Sequence, residues 1–248
     1  MDINNFCDAL AKDKKNVGNE LRLILCKDYG DLFKAPVKNE LMLIENIQMG
    51  AAVCYALKKR TVQHLVYISS DALYADSDRL LNENSCTQPS SLHGVMHLAR
   101  EIMLENARKG PMCFLRPTLI YGTEDPHNGY GPNRFTRLAK KGENIILFGE
   151  GEERRDHVWI QDVANLTCRV LCHQSTGILN IATGAVVSFR EIAEQVVQLI
   201  PNSSQIHGSV RSGAMPHNGY RAFDPKTTNL SFPDFNYTRL SDGLMKIK

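Results

Sequence analysis

Three neighbouring segments decide the fold: HLVYISSDALY (64–74), PSSLHGVMHLARE (89–101) and CFLRPTLIYG (113–122). The first and third are apolar, rich in β-branched and aromatic residues, and end in small polar residues, which predicts buried strands over 62–70 and 112–121. Between them, 91–108 has the apolar period of a helix. Strands that alternate with helices pair in parallel through right-handed crossovers, and such sheets present their chemistry at the carboxyl ends of the strands.

The composition is that of an ordinary globular protein. With 248 residues, 43% hydrophobic and 23% charged, the chain suffices for one large domain or one domain with a small appendage. The 29 basic and 27 acidic residues give a net charge of +2, so no global field favours nucleic acid as a partner. We find no apolar run of membrane-spanning length and no signal peptide, and we expect no membrane partner. Seven cysteines without a CxxC pair indicate a reducing, cytoplasmic location.

Hydrophobic periodicity predicts further elements on both sides of these segments. On the N-terminal side we expect a short helix over 3–15, a buried strand over 21–26 and a helix over 38–60. On the C-terminal side we expect helices over 132–141, 160–173 and 188–200, strands over 144–149 and 178–184, and a charged turn over 149–156. Ser188 and Glu191 form a capping-box pattern at the start of the last helix.

Five blocks in this order resemble the extended short-chain dehydrogenase/reductase family, the NAD-dependent epimerases and dehydratases of nucleotide-sugars. Each block alone is a weak signal, whereas five in the right order are specific. The resemblance covers nearly the whole chain, and Asn46 and Gly50, which are four positions apart, fall where the Asn-x-x-Gly helix of the family runs. The blocks are VYISSDALY (66–74), RPTLIYG (116–122), GPNRF (131–135), LFGEGEERRDHVWIQDVA (147–164) and LNIATG (179–184).

The resemblance implies an α/β fold, namely an incomplete doubly wound (Rossmann-like) parallel sheet with a small C-terminal α+β substrate-binding region. We expect a partial dinucleotide-binding domain over 1–122. After Gly122 the chain becomes rich in Gly, Pro, Asn and His, and we expect 123–248 to form the substrate-binding region, with segments that pack back on the sheet.

The resemblance also implies roles for individual residues. Ser70 would bind the sugar hydroxyl, His93 would exchange its proton, His97 would contact the cofactor ribose, and Asp71 would serve as a proton donor. The residues expected to bind NAD or NADP are Asp2, Ile3, Cys26, Ser69, His97, Pro117, Thr118 and Leu119. The residues expected to bind the nucleotide diphosphate are Asn133, Arg155 and Arg221.

The sequence departs from the family in two places. It contains no Gly-x-x-Gly-x-x-Gly turn, whose amides and helix dipole hold the cofactor pyrophosphate. We therefore expect about two strand-helix units of roughly 30 residues each to be missing, which would expose a sheet edge and impair cofactor binding by this chain alone. In addition, His93-Gly-Val-Met-His97 replaces the Tyr-x-x-x-Lys of the family. Histidine can transfer protons near neutrality, but a neutral His97 would lack the fixed charge of lysine, which Arg100 could partly replace.

Several of these residues have other interpretations. His93 and His97, on one helix face, could contact substrate, form a structural pair or bind a metal; we expect no metal, because no glutamate or third ligand lies between them. Ser69 and Ser70 could satisfy backbone groups at a strand end, and Asp71 could cap a helix. Arg154 and Arg155 could form a solvated charge cluster rather than a diphosphate site.

The resemblance to the family does not account for one short internal repeat. Pro-His-Asn-Gly-Tyr occurs at 126–130 and again at 216–220. Asn-Gly favours tight turns, so the repeat could reflect two similar turns. It could also indicate two loops that border one pocket.

We conclude from the sequence that the chain is an NAD(P)-dependent epimerase or dehydratase acting on a nucleotide-sugar. The alternative is a catalytically inactive or vestigial nucleotide-sugar-binding member of the same family. A homodimer through helices 38–60 and 91–108 is a further expectation, because family members commonly pair through two long helices.

Overall fold

A computed structural model describes residues 20–28, 31–123, 125, 128, 130–201, 204–211 and 213–248, with the backbone alone given for 20–28 and 31–42. The expected helix over 3–15 lies outside the described residues. The helices are α1 (Asn39–Lys59), α2 (Leu92–Ala107), α3 (Pro132–Lys141), α4 (Ile160–His173), α5 (Phe189–Leu199), α6 (Lys226–Ser231) and α7 (Leu240–Ile247). The strands are β1 (Glu20–Asp28), β2 (Asp31–Lys38), β3 (Leu65–Ile68), β4 (Met112–Pro117), β5 (Leu119–Tyr121), β6 (Ile145–Phe148), β7 (Arg154–Trp159), β8 (Gly177–Ile181), β9 (Val186–Ser188), β10 (Ile206–Ser209) and β11 (Tyr220–Arg221).

Parallel pairing dominates, as the alternating pattern predicts. Strands β3, β4 and β8 form one parallel sheet, with Leu65 opposite Met112 and Phe114 opposite Ile178. Strand β7 pairs in parallel with β5 and β11 and antiparallel with β9, while β6 pairs in parallel with β10. The architecture is a Rossmann-like α/β fold with an incomplete doubly wound sheet, and β8 brings a C-terminal segment into the sheet of β3 and β4.

The strand predicted over 112–121 is two strands. Pro117 has no N–H for a ladder, and the N–H of Thr118 donates to the carbonyl oxygen of Ile181 at 3.1 Å. Strand β4 therefore stays in the sheet of β3 and β8, whereas β5 continues in the sheet of β7. The chain thus changes sheets beside the carboxyl end of β3.

Two other elements differ from the sequence interpretation. The charged turn over 149–156 ends early, because β7 begins at Arg154; Gly149 and Gly151, with φ of 59° and 76°, make the turn. The segment around 21–26 is a strand, but β1 pairs antiparallel with β2 as a hairpin outside the parallel sheets. The connection Tyr29–Gly30 is short enough for a hairpin and too short for a crossover.

Local signals fix the helices close to the expected bounds. The capping box at Ser188 is present: its Oγ accepts from the Glu191 N–H at 3.1 Å and its N–H donates to Glu191 at 2.7 Å. Gly50 lets α1 approach α2, since a Cβ there would lie 3.2 Å from side-chain atoms of Arg100 and Met103. Within the described part of the chain, no helix is both long and apolar enough to span a membrane.

The main apolar cluster joins α3, α5 and α7 to strands β5, β6 and β7, and a second cluster lies between α4 and the sheet of β4 and β8. The first cluster packs behind residues of β6 and α5 that also line the cavity described below. The helices that position the site are therefore held by buried apolar surface.

Candidate functional site

A cavity of about 420 Å³ lies beyond the carboxyl end of β3. Its walls come from the 3-10 turn after β3, from α2, α3 and α5, from β5, β6 and β7, and from the loop that precedes β11. The polar and charged residues that line it are Asp71, His93, Tyr130, Arg134, Glu153, Arg155, Arg211 and His217. The apolar ones are Ala72, Leu119, Phe135, Ile146, Leu147, Phe148, Phe189, Ala214 and Pro216.

Ser70 and His93 are in hydrogen-bond contact at this cavity. Ser70 caps the 3-10 turn, its Oγ accepting from the Ala72 N–H at 3.2 Å, and the same Oγ lies 3.2 Å from Nε2 of His93. The Ser70 hydroxyl therefore satisfies a backbone N–H at the strand end and also touches the imidazole. Gly94 makes this possible, since a Cβ there would lie 2.2 Å from the Ala72 carbonyl oxygen.

His97 lies next to His93 on α2 and does not line the cavity. The two ring centroids are 4.6 Å apart in an edge-to-face arrangement, and Nδ1 of His97 lies 3.0 Å from the hydroxyl of Tyr67. The Arg100 guanidinium lies 5.6 Å from the Tyr67 ring centroid. Tyr67 therefore contacts both His97 and Arg100. In the described residues, no group of three or more metal-ligating side chains is present.

Asp71 and Arg221 form a buried ion pair beneath the cavity. Nε of Arg221 donates to Oδ2 of Asp71 at 3.0 Å, and a terminal nitrogen donates to the Asp71 carbonyl oxygen at 2.6 Å. Arg221 is 1% exposed and does not line the cavity. It holds the turn that carries Asp71, so this structure gives it a positioning contact rather than a surface for a diphosphate.

Arg155 reaches the cavity whereas its neighbour Arg154 does not. Arg155 is buried, bonded to Glu153 at 3.1 Å and 4.0 Å from Asp71, while Arg154 pairs with Glu191 and is 42% exposed in its side chain. The solvated-cluster interpretation therefore fits Arg154 alone. Alternation along β7 explains the difference, because successive side chains point to opposite faces.

The other predicted residues are spread around the cavity. Asn133 is buried in α3, where its amide exchanges hydrogen bonds with the backbone of Gly122, and it does not line the cavity. Leu119 lines it, Pro117 ends β4, and the Thr118 hydroxyl donates to Asp156 at 3.1 Å. Asp2 and Ile3 lie outside the described residues, as does the side chain of Cys26.

Ser69 differs from the other predicted cofactor residues. Its Oγ is buried without a hydrogen-bond partner among the described residues. A buried hydroxyl without a partner costs free energy, which makes Ser69 a candidate for contact with a bound group.

Several cavity residues were not identified from the sequence, namely Tyr130, Arg134, Phe148, Phe189, Arg211 and His217. The repeated Pro-His-Asn-Gly-Tyr pentapeptide was the available signal. Tyr130 from the first copy and Pro216 and His217 from the second line the same cavity, as the two-loop interpretation predicts. Burial raises the pKa of the Tyr130 hydroxyl, which packs edge-on against Phe189 at 5.3 Å between ring centroids.

Solved structures with a similar fold are nucleotide-sugar epimerases. UDP-glucuronic acid 4-epimerase from Bacillus cereus, in complex with UDP-glucuronic acid and NAD, has a TM-score of 0.73 at 21% identity over 82% of this chain. UDP-glucose 4-epimerase from Thermotoga maritima, with UDP-glucose, has a TM-score of 0.73 at 20% identity over 83% of this chain and 68% of its own. UDP-N-acetylglucosamine 4-epimerase from Methanobrevibacter ruminantium, with UDP-N-acetylmuramic acid, has a TM-score of 0.73 at 17% identity over 82% of this chain and 67% of its own.

At these identities the likeness shows the fold. The chain spans 65% of the length of the Bacillus cereus enzyme. A family model described as the NAD dependent epimerase/dehydratase family matches residues 29–182, which is more than half of the chain. The segments with which the sequence analysis began lie inside this match. The chain therefore belongs to the NAD dependent epimerase/dehydratase family.

Proposed function

We propose that this chain is an NAD(P)-dependent epimerase or dehydratase that acts on a nucleotide-sugar. The observation that carries the proposal is that one cavity is lined by a buried guanidinium and by an imidazole that is in contact with a serine. His93 and Arg155 line it, and Ser70 is 3.2 Å from His93. A volume of about 420 Å³ is in the range of small-molecule sites.

Ser70 and His93 would perform the proton chemistry. The Ser70 hydroxyl would hold a sugar hydroxyl against Nε2 of His93, and His93 would take the hydroxyl proton as the sugar carbon loses hydride. The bound nicotinamide would accept that hydride. His93 would then return the proton after the hydride comes back to the sugar. An imidazole suits both directions, because its ordinary pKa of about 6.5 lies close to neutrality.

The described residues supply part of the site that we expect for the NAD(P) cofactor. Ser69 supplies a buried hydroxyl without a partner among the described residues, and Leu119 supplies an apolar wall. Ser69, Thr118 and Leu119 would hold the nicotinamide end, and His97 would contact the adjoining ribose. Asp2 and Ile3, which we expect at the adenine, lie outside the described residues.

Arginines would bind the diphosphate. Arg155 lines the cavity and is paired with Glu153 at 3.1 Å, while Arg221 lies beneath the cavity and would act by holding Asp71. Arg134 and Arg211 add positive charge at the same cavity, and Arg211 is paired with Glu152 at 3.3 Å. Guanidinium groups suit phosphate because they donate two parallel hydrogen bonds. Phe148 and Phe189 would cover the apolar part of the ligand.

One observation favours a second candidate, a protein that binds a nucleotide-sugar without turning it over. His97 stands at the position of the family lysine, and it is bonded to Tyr67. A neutral imidazole supplies no fixed charge for the cofactor ribose. Such a protein would still bind the nucleotide-sugar, but it would not transfer hydride.

The test is to incubate purified protein with UDP-glucose, UDP-glucuronic acid or GDP-mannose and NAD, and to measure sugar products by chromatography. The enzyme proposal expects turnover that falls at least about 100-fold in His93→Phe. His207→Phe is the matched control, since His207 is exposed on β10 and does not line the cavity. A thermal shift with nucleotide-sugars but none with NAD(H) or NADP(H), and no product, would favour the binding protein. No shift with any nucleotide-sugar would refute both.

We also propose a homodimer through α1 and α2. The two helices pack on each other and expose Ile44, Val53, Tyr55 and Ile102. Light scattering of the purified protein should give twice the chain mass, and Tyr55→Asp should give the mass of one chain. A single-chain mass for the unaltered protein would contradict the proposal.

A further inference from the structure

The loop before β11 holds a second histidine at the cavity under backbone strain. His217 and Asn218 have φ of 52° and 51°, in the left-handed region that non-glycine residues rarely adopt. Residues keep such conformations when surrounding contacts determine them, and strained residues cluster at ligand sites.

The carboxylate of Asp76 holds His217 in place. Nδ1 of His217 is in short hydrogen-bond contact with Oδ1 of Asp76, and Arg221 donates to the same oxygen at 3.2 Å. Asp76 and His217 are 141 residues apart in sequence. The bond therefore ties the second pentapeptide loop to the segment that follows Ser70 and Asp71.

The partners of Nδ1 determine the tautomer. A terminal nitrogen of Arg221 lies 3.2 Å from Oδ1 of Asp76 and also 3.2 Å from Nδ1 of His217, and the contact of Nδ1 with Oδ1 is shorter than its contact with Arg221. Arginine has donors only and the Asp76 carboxylate has acceptors only, so Arg221 and Nδ1 both donate to Oδ1. Nδ1 of His217 therefore carries the proton that it donates to Asp76, and in the neutral ring Nε2 has the lone pair. In the described part of the chain Nε2 has no hydrogen-bond partner, although the residue lines the cavity.

The surrounding charges keep the ring neutral near pH 7. Burial and then the nearby guanidinium of Arg155 lower the pKa of His217 below its ordinary value, and Arg221 acts in the same direction. Asp76 opposes them without reversing the shift. The neutral ring thus presents Nε2 to the cavity as a hydrogen-bond acceptor.

We propose that His217 is a ligand-binding residue of this cavity, oriented by Asp76, and that its Nε2 accepts a hydrogen bond from a hydroxyl group of the nucleotide-sugar. The inference rests on the proposed function, since it needs a hydroxylated ligand in the cavity. It adds a selectivity element, because an acceptor at this position favours a ligand with a hydroxyl there over its deoxy counterpart.

The experiment measures binding of UDP-glucose and GDP-mannose by calorimetry to the unaltered protein and to His217→Phe, His217→Gln and His207→Phe. His217→Phe keeps an aromatic ring and removes the acceptor, and we expect about 3- to 10-fold weaker binding. His217→Gln retains an acceptor and should recover part of the loss. His207→Phe should bind like the unaltered protein. Melting temperatures without ligand check that each variant is folded.

Ligand affinity measured over a range of pH distinguishes loss of the hydrogen-bond acceptor from a change in the shape of the cavity. As pH falls through the pKa of His217, below about 6.5, Nε2 gains a proton and can no longer accept. Affinity should fall in that window in the unaltered protein and fall less in His217→Gln. Nitrogen-15 spectra of the imidazole should show Nε2 unprotonated at pH 7.

Two outcomes would overturn the inference, and they are distinguishable. If the unaltered protein binds a nucleotide-sugar and folded His217→Phe binds it equally well, the role of His217 is wrong while the proposed function stands. If the unaltered protein binds neither nucleotide-sugar, the proposed function fails and the inference fails with it.

Discussion

Replacing Glu101 by leucine should destabilise the protein far more than replacing Glu101 and Arg116 together. Nε of Arg116 donates to Glu101 at 3.0 Å and a terminal nitrogen donates to its other oxygen at 2.5 Å, with the two side chains 3% and 5% exposed. Glu101 lies about two turns after His93 on α2, and Arg116 lies in β4. The pair therefore ties the histidine-bearing helix to the sheet.

The expected losses in the free energy of unfolding follow from the burial of this ion pair. Glu101→Leu leaves a buried guanidinium without its carboxylate, which costs about 3–5 kcal/mol. Arg116→Leu leaves the carboxylate buried and also removes the 2.8 Å donor to the Tyr74 hydroxyl, so its cost is similar or larger. The double variant buries no charge, and Tyr74 still donates to Asn180 at 2.7 Å. Replacing a whole buried pair by apolar residues costs about 0–2 kcal/mol, so the coupling should be at least about 4 kcal/mol.

The assay is equilibrium unfolding in urea, followed by far-ultraviolet circular dichroism for the four members of the cycle. At this chain length, 3–5 kcal/mol corresponds to a fall in melting temperature of about 6–20 °C. The control cycle is the Glu150–Arg190 pair, whose side chains are 75% and 35% exposed and whose coupling should stay below about 1 kcal/mol. Additive costs in the Glu101–Arg116 cycle would refute the reasoning.

Three further predictions concern folding and reactivity. Gly94→Ala should cost about 3 kcal/mol in the free energy of unfolding, because the new Cβ would lie 2.2 Å from the Ala72 carbonyl oxygen; an unchanged melting temperature would contradict this. Asp156→Asn should cost about 2–4 kcal/mol, since its carboxylate accepts four hydrogen bonds and an amide can accept at one oxygen only; unfolding in urea measures it. Burial raises the pKa of Cys113 to about 11, so iodoacetamide should modify exposed Cys172 and spare Cys113 until the protein unfolds, as peptide mass spectrometry would show.

The site could be predicted from sequence where local pattern determined it. Ser70 follows an apolar strand, the resemblance to the family marked Ser70 and His93 as site residues, and the structure places Oγ of Ser70 3.2 Å from Nε2 of His93. The capping box at Ser188 was equally visible, because it involves residues three apart. Of the site residues that were missed, Arg134, Phe148 and Phe189 lie within helices and a strand, and Arg211 and His217 lie in segments that the chain reaches much later.

What the sequence by itself determined is the family, most of the strands and helices between residues 38 and 200, and the Ser70–His93 neighbourhood, because periodicity and capping act over a few residues. The tertiary structure alone decided which charged groups are buried and what they face. Arg221 is engaged by Asp71, 150 residues away in sequence, and His217 is oriented by Asp76. Such pairs form only when the chain is packed, since a buried charge must find its partner wherever the fold brings one.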